Sequence, residues 1–327
     1  MAALLSEVSG ENASELFNKY GVKDSNAKKA GNGGNSPARA KTRGGKDCSK
    51  GEKGTAAVDG ITWSYSIQDG EATIVPARGH ICAISPRPQG DVTIPSKLGG
   101  VNVTGIGKSA FAGCKSMATV VIPPSVRSIG DYVFYDCMGL TSVTIPTSVT
   151  NIGFGAFFRC NGLTSVTIPD GVKSLKDSTF CYCNGLTSVK IPPTLTNMGR
   201  GVFSGCRGLA DSQGFVIVNG VLCSYEGYMP SVSIPAGVTC IGDAFSESKS
   251  LKSVTIPSSV KNIRNRVFCG SFWLTSVTML GERPESPNDV FRACRNLKAI
   301  HVPPNAKSWA GMKEWQGIPL VFDAETK

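Results

Sequence analysis

Histidine is almost missing from this chain: His80 and His301 are the only two among 327 residues. A nucleophilic side chain needs a base beside it, and neither histidine stands in a motif that would supply one. The sequence therefore reads as non-enzymatic. Metal chemistry is equally poorly served, since the one close cysteine pair is Cys181-x-Cys183 and no Cys-x-x-Cys occurs. The glycine-rich stretch at 31–34 has no following Lys-Ser or Lys-Thr and no strand before it, so it is not a phosphate loop. No cofactor is called for. Charged residues are sparse at 18% while glycine is frequent at 38 residues, which points to a turn-rich β architecture. No apolar run approaches the roughly 20 residues of a membrane-spanning helix. The first residues, MAALLSEVSGE, lack a basic region and meet Glu7 too early for a secretory signal. The expectation is a soluble chain with no visible export address, with its compartment and oligomeric state left open.

The net charge of +10 is unevenly spread. Between Lys19 and Lys53 ten basic residues face only Asp24, Asp47 and Glu52, so this segment supplies +7 and the remainder is close to neutral. Almost no apolar residue lies between Asp24 and Ala56, and residues 1–55 are accordingly read as a basic, disordered tail. Such a tail offers a second functional reading, attachment to nucleic acid or another anionic surface. No aromatic platform accompanies it, which disfavours nucleic acid.

What is abundant is repetition. LTSVTIPTSVTNIGFGAFFRCNG, starting at Leu140, aligns without a gap on LTSVTIPDGVKSLKDSTFCYCNG, starting at Leu163, a period of 23 residues. Phenylalanine marks the period at Phe111, Phe134, Phe157, Phe180 and Phe203, and again at Phe245, Phe268 and Phe291. An apolar-proline pair marks it at Pro123, Pro146, Pro169 and Pro192, with Pro95, Pro235, Pro257 and Pro303 at degraded spacings. Within one unit Leu140, Val143, Ile145, Val149, Ile152, Phe157 and Cys160 recur as apolar or small, and the positions between them are read as free. Val143 and Ile145 alternate with Ser142 and Thr144, the period-2 pattern of a strand with one buried face. Proline lacks the N–H a ladder needs, so Pro146 closes the strand. Val149 and Ile152 suggest a short strand on the opposite wall.

A unit of this size cannot bury its apolar side alone, so units must stack and the ends must be capped. The fold class expected is a repeat solenoid, mainly β, with a parallel concave sheet, short second strands and turns on the other wall, and a short C-terminal capping helix. An N-terminal cap and irregular coils are assigned to 56–110, with Ile61, Trp63, Tyr65 and Ile67 alternating before an Asp69-Gly70 hairpin turn. The array runs over 111–304 and holds an irregular hairpin coil at 210–232, signalled by Asn219-Gly220. The C-terminal cap, 305–327, is read as a helix N-capped by Asn305, carrying Trp309 and Met312, ended by Gly317 and followed by the strand IPLVF.

With LTSVTIP, IGxxAF and FxxCxxL in place, the sequence from about Gly60 to Phe322 resembles the BspA-type leucine-rich repeats of bacterial surface proteins and their protozoan relatives. The resemblance implies a secreted or cell-surface location, adhesion or host-protein binding, and no catalytic residue to carry over. This chain departs from the general leucine-rich pattern in lacking the asparagine that usually follows the strand. Ser148 and Gly171 stand near that place, so an asparagine ladder is not what holds the turns.

Two candidate contact surfaces follow. The first is the concave face formed by outward strand positions: Ser142, Thr144, Ser165, Thr167, Ser188, Lys190, Ser253, Thr255, Ser276 and Thr278, ending at His301. Serine and threonine there also suit a merely solvated β surface. The second is the turn ridge after the repeat phenylalanine, with Tyr135, Phe158, Arg159, Tyr182, Phe272 and Trp273, residue types common in binding hot spots. Packing between adjacent turns is the competing reading. The expected partner is a protein or glycan of a host or cell surface. Cys114, Cys137, Cys160, Cys183, Cys206 and Cys294 all fall three residues after the repeat phenylalanine, and Ser248 and Ser271 replace them in two coils. That register favours buried thiols acting as small core residues over a disulfide framework.

Overall fold

The computed structural model describes residues 51–323 apart from Ile81. The chain winds as a β-solenoid of about ten turns, and the helical content among the described residues is two 3-10 turns, Arg207–Leu209 and Lys307–Trp309. A regular coil contributes a strand of the Ser142–Thr144 type to one wall and a two-residue strand of the Asn151–Ile152 type to the other. Register is unslipped: Ser165 lies against Ser188, Val166 against Val189 and Ile152 against Leu175. Equal periods put like residues on like, which explains why the same side chain recurs at each core position.

The clearest product of that stacking is a column of aromatic rings. Phe111, Phe134, Phe157, Phe180 and Phe203 follow one another at centroid separations of 5.3, 5.1, 5.1 and 5.7 Å with their planes within 20°. Trp63 of the N-terminal cap closes one end edge-on at 6.0 Å. Past the irregular coil the column resumes through Tyr225, Phe245, Phe268 and Phe291 and ends edge-on against Trp315 at 5.6 Å. The apolar core is split at the same place into two clusters, one ending at Cys223 and one beginning at Phe215.

Thiols and hydroxyls bind one coil to the next. Cys137, Cys160, Cys183 and Cys206 each point the sulfur at the carbonyl of the repeat phenylalanine of the preceding coil, at 3.0–3.1 Å. Cys294 does so to Phe268 at 2.9 Å, and Ser271, on the same rung, to Phe245 at 2.6 Å. These sites need a small donor. Burial alone described them incompletely. At the place where an asparagine ladder was absent, Ser125 and Ser148 donate to the carbonyls of Val103 and Val126 at 2.7 Å. Thr141, Thr164 and Thr187 were expected to be free, yet each hydroxyl donates to the carbonyl 23 residues upstream. Among the described residues every cysteine is a thiol.

Both caps differ in part from expectation. Glu52–Val58 forms a strand paired antiparallel with Ile61–Gln68, so residues 52–55 belong to the cap and not to the tail. Asp59 and Gly60 supply the left-handed pair of that turn (φ 50° and 76°), as Asp69 and Gly70 do for the next hairpin. The remainder of the basic tail lies outside the described residues. At the other end the expected capping helix is reduced to the single 3-10 turn Lys307–Trp309. Ala306, not Asn305, precedes the 3-10 turn, and no side chain caps it. The carboxylate of Glu282 instead accepts the N–H groups of Lys307 and Ser308 at 3.2 and 2.9 Å. Gly317 sits in a hairpin turn between Glu314–Trp315 and Ile318–Phe322, and the latter strand joins the parallel wall beside Ala299–Val302. Trp309 is fully buried, its indole N–H meeting the Gly281 carbonyl at 2.9 Å.

Candidate interaction surface

The outward positions of the strand wall lie where the alternation puts them. Ser142, Thr144, Ser165, Thr167, Ser188 and Lys190 are exposed, whereas Ser253, Thr255, Ser276 and Thr278 are half-covered. In the C-terminal half the polar groups also satisfy each other, as when the Ser253 hydroxyl meets Ser231 at 2.7 Å. His301 ends the row, its Nδ1 2.8 Å from the Asp323 carboxylate.

The turn ridge separates into two parts. Tyr135 and Phe158, expected as contact residues, are only 4% and 7% exposed, because they stack on one another at 5.7 Å and form a side cluster with Tyr132, Ala112 and Cys181. Tyr182 closes that stack edge-on against Phe158. Arg159 turns its guanidinium toward Asp136, a carboxylate with no solvent exposure that Lys115 also approaches at 3.3 Å. These four residues hold the turns together. Phe272 and Trp273 behave differently, being 51% and 59% exposed.

A region that sequence reasoning did not single out as a surface is the irregular coil. Its hairpin is formed as anticipated, Phe215–Val218 pairing antiparallel with Val221–Tyr225 through the left-handed Asn219-Gly220 turn. It supplies no strand to the strand wall, so the sheet is interrupted between Ser188–Lys190 and Ser231–Ser233. Val189, beside the interruption, is only half-buried, whereas Val166 one coil earlier is buried. Beside the Ser231–Ser233 edge lies a groove of about 690 Å³ lined in part by Phe215, Tyr225, Tyr228 and Met229. Tyr228 and Met229 are 79% and 63% exposed. Tyr228 stands three residues before Ser231 and Trp273 three before Ser276, and these strands are joined through Ser253. By register the two residues therefore precede the strand wall on the same side, two strands apart. The available signal was the replacement of LTSVTIP by LADSQGF at 209–215, which breaks the apolar alternation.

The opposite wall is repaired at this coil by charged side chains. In regular coils the N–H groups of Gly155 and Arg159 meet the carbonyls of Asp177 and Cys181 in the next coil. At the equivalent Gly201 and Gly205 the acceptors are the carboxylates of Asp243 and Glu226, both at 2.9 Å. Arg264 donates to the carbonyls of Met198 and Gly199, where Leu175 one coil earlier is met by the Gly199 N–H. Burial raises the Asp243 carboxyl above its ordinary value, opposed by the Gly201 N–H and Arg264.

No group of three or more histidine, cysteine or acidic side chains able to hold a metal is present among the described residues, and no described helix is long and apolar enough to cross a membrane. A profile of the BspA type leucine rich repeat region matches residues 91–211 and 220–311 in six copies. The chain belongs to the BspA-type leucine-rich repeat family. The break between the two matched stretches falls in the irregular coil. Among curated proteins no match is found. Similar solved structures include a T. pallidum leucine-rich repeat protein, 24% identical over 72% of this chain and 87% of that one, with a TM-score of 0.41. A leucine-rich cell surface protein of Faecalibacterium prausnitzii is 25% identical over 77% and 89%, TM-score 0.36. The pneumococcal vaccine antigen PcpA is 15% identical over 76% and 87%, TM-score 0.40. Leucine-rich repeat solenoids in general serve as protein-interaction or surface scaffolds.

Proposed function

We propose that this BspA-type solenoid is a non-catalytic, adhesin-like scaffold that binds a protein or glycan of a host or cell surface along its strand wall. The observation that carries the reading is the edge of that wall in the C-terminal half, where Tyr228, Met229, Phe272 and Trp273 are held in solvent on a rigid frame. Large apolar side chains left outside the core mark contact sites when they gather on one edge, and tyrosine and tryptophan concentrate binding energy because they bury much area at little entropic cost. The exposed serines and threonines of the wall then act as the polar surround, with Lys190 adding a cationic point beside the interruption.

The test is binding of the whole chain to a panel of purified extracellular-matrix proteins and a glycan array, repeated with Tyr228→Ala/Trp273→Ala and with the wall variant Ser142→Arg/Ser165→Arg/Ser188→Arg. A partner should lose about tenfold or more in affinity with the first variant, a hot-spot loss of roughly 1.4 kcal/mol or greater. Loss of binding only when residues 1–50 are removed, with a steep dependence on salt, would instead establish the basic segment as the binding element.

A further inference from the structure

Cys114 is the first rung of the thiol series and differs from the rungs after it. Cys137 and its successors each face the carbonyl of a phenylalanine 26 residues upstream, whereas the position 26 residues upstream of Cys114 is Pro88, not a repeat phenylalanine. A second sulfur occupies that end. Cys82 Sγ lies 3.6 Å from Cys114 Sγ and 3.1 Å from the Ala110 carbonyl. The segment carrying Cys82 is the link between cap and array: Ala83 donates to Ala110 at 2.8 Å and accepts from Ser64 at 2.7 Å, and Ile84 pairs with Trp63.

We propose that Cys82 and Cys114 form a reversible thiol–disulfide site that fastens the N-terminal cap to the first coil. The two residues have unequal roles. Cys82 is partly exposed and Cys114 is buried, so an oxidant meets Cys82 first. The Arg87 guanidinium lies by the turn at Gly113, one residue before Cys114. The hydrogen bond from Cys114, aided by Arg87, lowers the Cys82 thiol below its usual range, while Cys114 is raised by that same pairing and by burial. This is the division expected of an attacking and a resolving thiol. With a low-molecular-weight disulfide as oxidant, the Cys82 thiolate attacks one of its sulfurs, that S–S bond breaks, and the departing thiolate takes up a proton. Cys114 then gives up its proton and attacks the Cys82 sulfur, releasing the second small thiol. Two cysteine thiols are oxidised and one small disulfide is reduced. Closing this link shortens the unfolded chain's freedom over about thirty residues at the end of the solenoid, where uncapped repeat arrays begin to fray.

The experiment treats the folded full-length protein with glutathione disulfide, blocks remaining thiols after denaturation, and maps peptides without reduction. Cys82 and Cys114 should leave the alkylated pool together as one cross-linked pair, while Cys137, Cys160 and Cys183 remain alkylatable. With Cys114→Ser, Cys82 should stop at the mixed disulfide with glutathione; with Cys82→Ser, Cys114 should stay a thiol. Serine already serves on the equivalent rung at Ser271, so the Cys114→Ser variant retains a donor there. The proposal is overturned if both sulfurs remain thiols at a glutathione disulfide level that modifies the partly exposed Cys269, or if Cys82 is found joined to any other cysteine.

Discussion

The coils from Phe111 to Phe203 and the coil from Arg207 to Pro230 do the same job by different means. In the first, backbone meets backbone across each step, and the side chains that recur at every step are few: a phenylalanine, a thiol, a threonine and serine hydroxyl. In the second, one strand of the strand wall is missing, and three particular charged residues, Glu226, Asp243 and Arg264, satisfy groups that a regular coil would have met with its own backbone. A repeat closed by backbone tolerates almost any residue at its outward positions. An interruption closed by buried charge tolerates little, because removing one partner leaves the others desolvated and unmet. The interruption also frees the surface that regularity would cover, which is why Tyr228 and Met229 stand out beside it.

The sharpest way to break this comparison is to damage each region in turn. Phe157→Ala removes a fully buried ring from the middle of the column, and a loss of about 3 to 5 kcal/mol is expected from denaturant melts. Arg264→Ala should cost about 2 to 3 kcal/mol, since it strips two carbonyls of a charged donor and removes one of the two arginines that favour the Asp243 carboxylate. Arg264→Lys should recover only part of this, lacking the guanidinium's reach to two acceptors. If Arg264→Ala were neutral, the interruption would be self-supporting.

Asp243 sharpens the same point through pH. Its carboxyl is raised by burial, so the folded state favours the protonated form. The corresponding stability is present below the unfolded value and is lost as pH rises through the folded one. Asp243→Asn keeps an acceptor for the Gly201 N–H and should abolish that segment of the stability profile, which lies at and just above the ordinary carboxylate range. Asp243→Ala should cost about 1 to 3 kcal/mol at neutral pH, the penalty of an unmet donor. Parallel profiles for wild type and Asp243→Asn between pH 3 and 6 would show that Asp243 is not the group responsible.

How legible each region was follows from the same contrast. The 23-residue period, the strand alternation and the inward set from Leu140 to Cys160 were plain in the sequence, because stacking in register copies one coil's needs onto the next. Hairpins announced themselves through Asp69-Gly70 and Asn219-Gly220. Asp59-Gly60 carried the same signal, but EKGTAAV before it has too few apolar residues to read as a strand, and only its pairing with Ile61–Gln68 makes it one. Donor roles for Cys160 and Thr164 were hidden, since burial and small size account equally well for recurrence. For Tyr135 and Phe158 the sequence left packing and contact both open, because a turn aromatic looks alike whether it meets a neighbouring turn or solvent. The repair by Asp243 and Arg264 was illegible, as their partners lie 42 and 66 residues away in a single, unrepeated arrangement.

A smaller effect separates a thiol that bonds from one that merely fills space. Cys160→Ser should be nearly neutral, because Ser271 occupies the same rung in another coil, whereas Cys160→Ala should cost about 1 kcal/mol through the unmet Phe134 carbonyl. Equal losses for the two variants would reduce this site to packing. The wild-type thiols of Cys160 and Cys294 should also resist alkylation until the protein unfolds, since burial raises Cys160 and pushes Cys294 up to about 11.

The smallest effect tests the outer surface. Ser142 is exposed on the strand wall beside Thr119, its hydroxyl bonds to nothing among the described residues, and its backbone does the pairing. Ser142→Ala should leave stability unchanged within about 0.5 kcal/mol, the range of surface substitutions away from special features. Thr141→Ala, one residue earlier, should cost more, because that hydroxyl donates to Ala118. Denaturant midpoints measured side by side decide it: if Ser142→Ala proves the more damaging of the two, the inward and outward assignments of the strand wall are reversed, and the surface offered to a partner lies elsewhere.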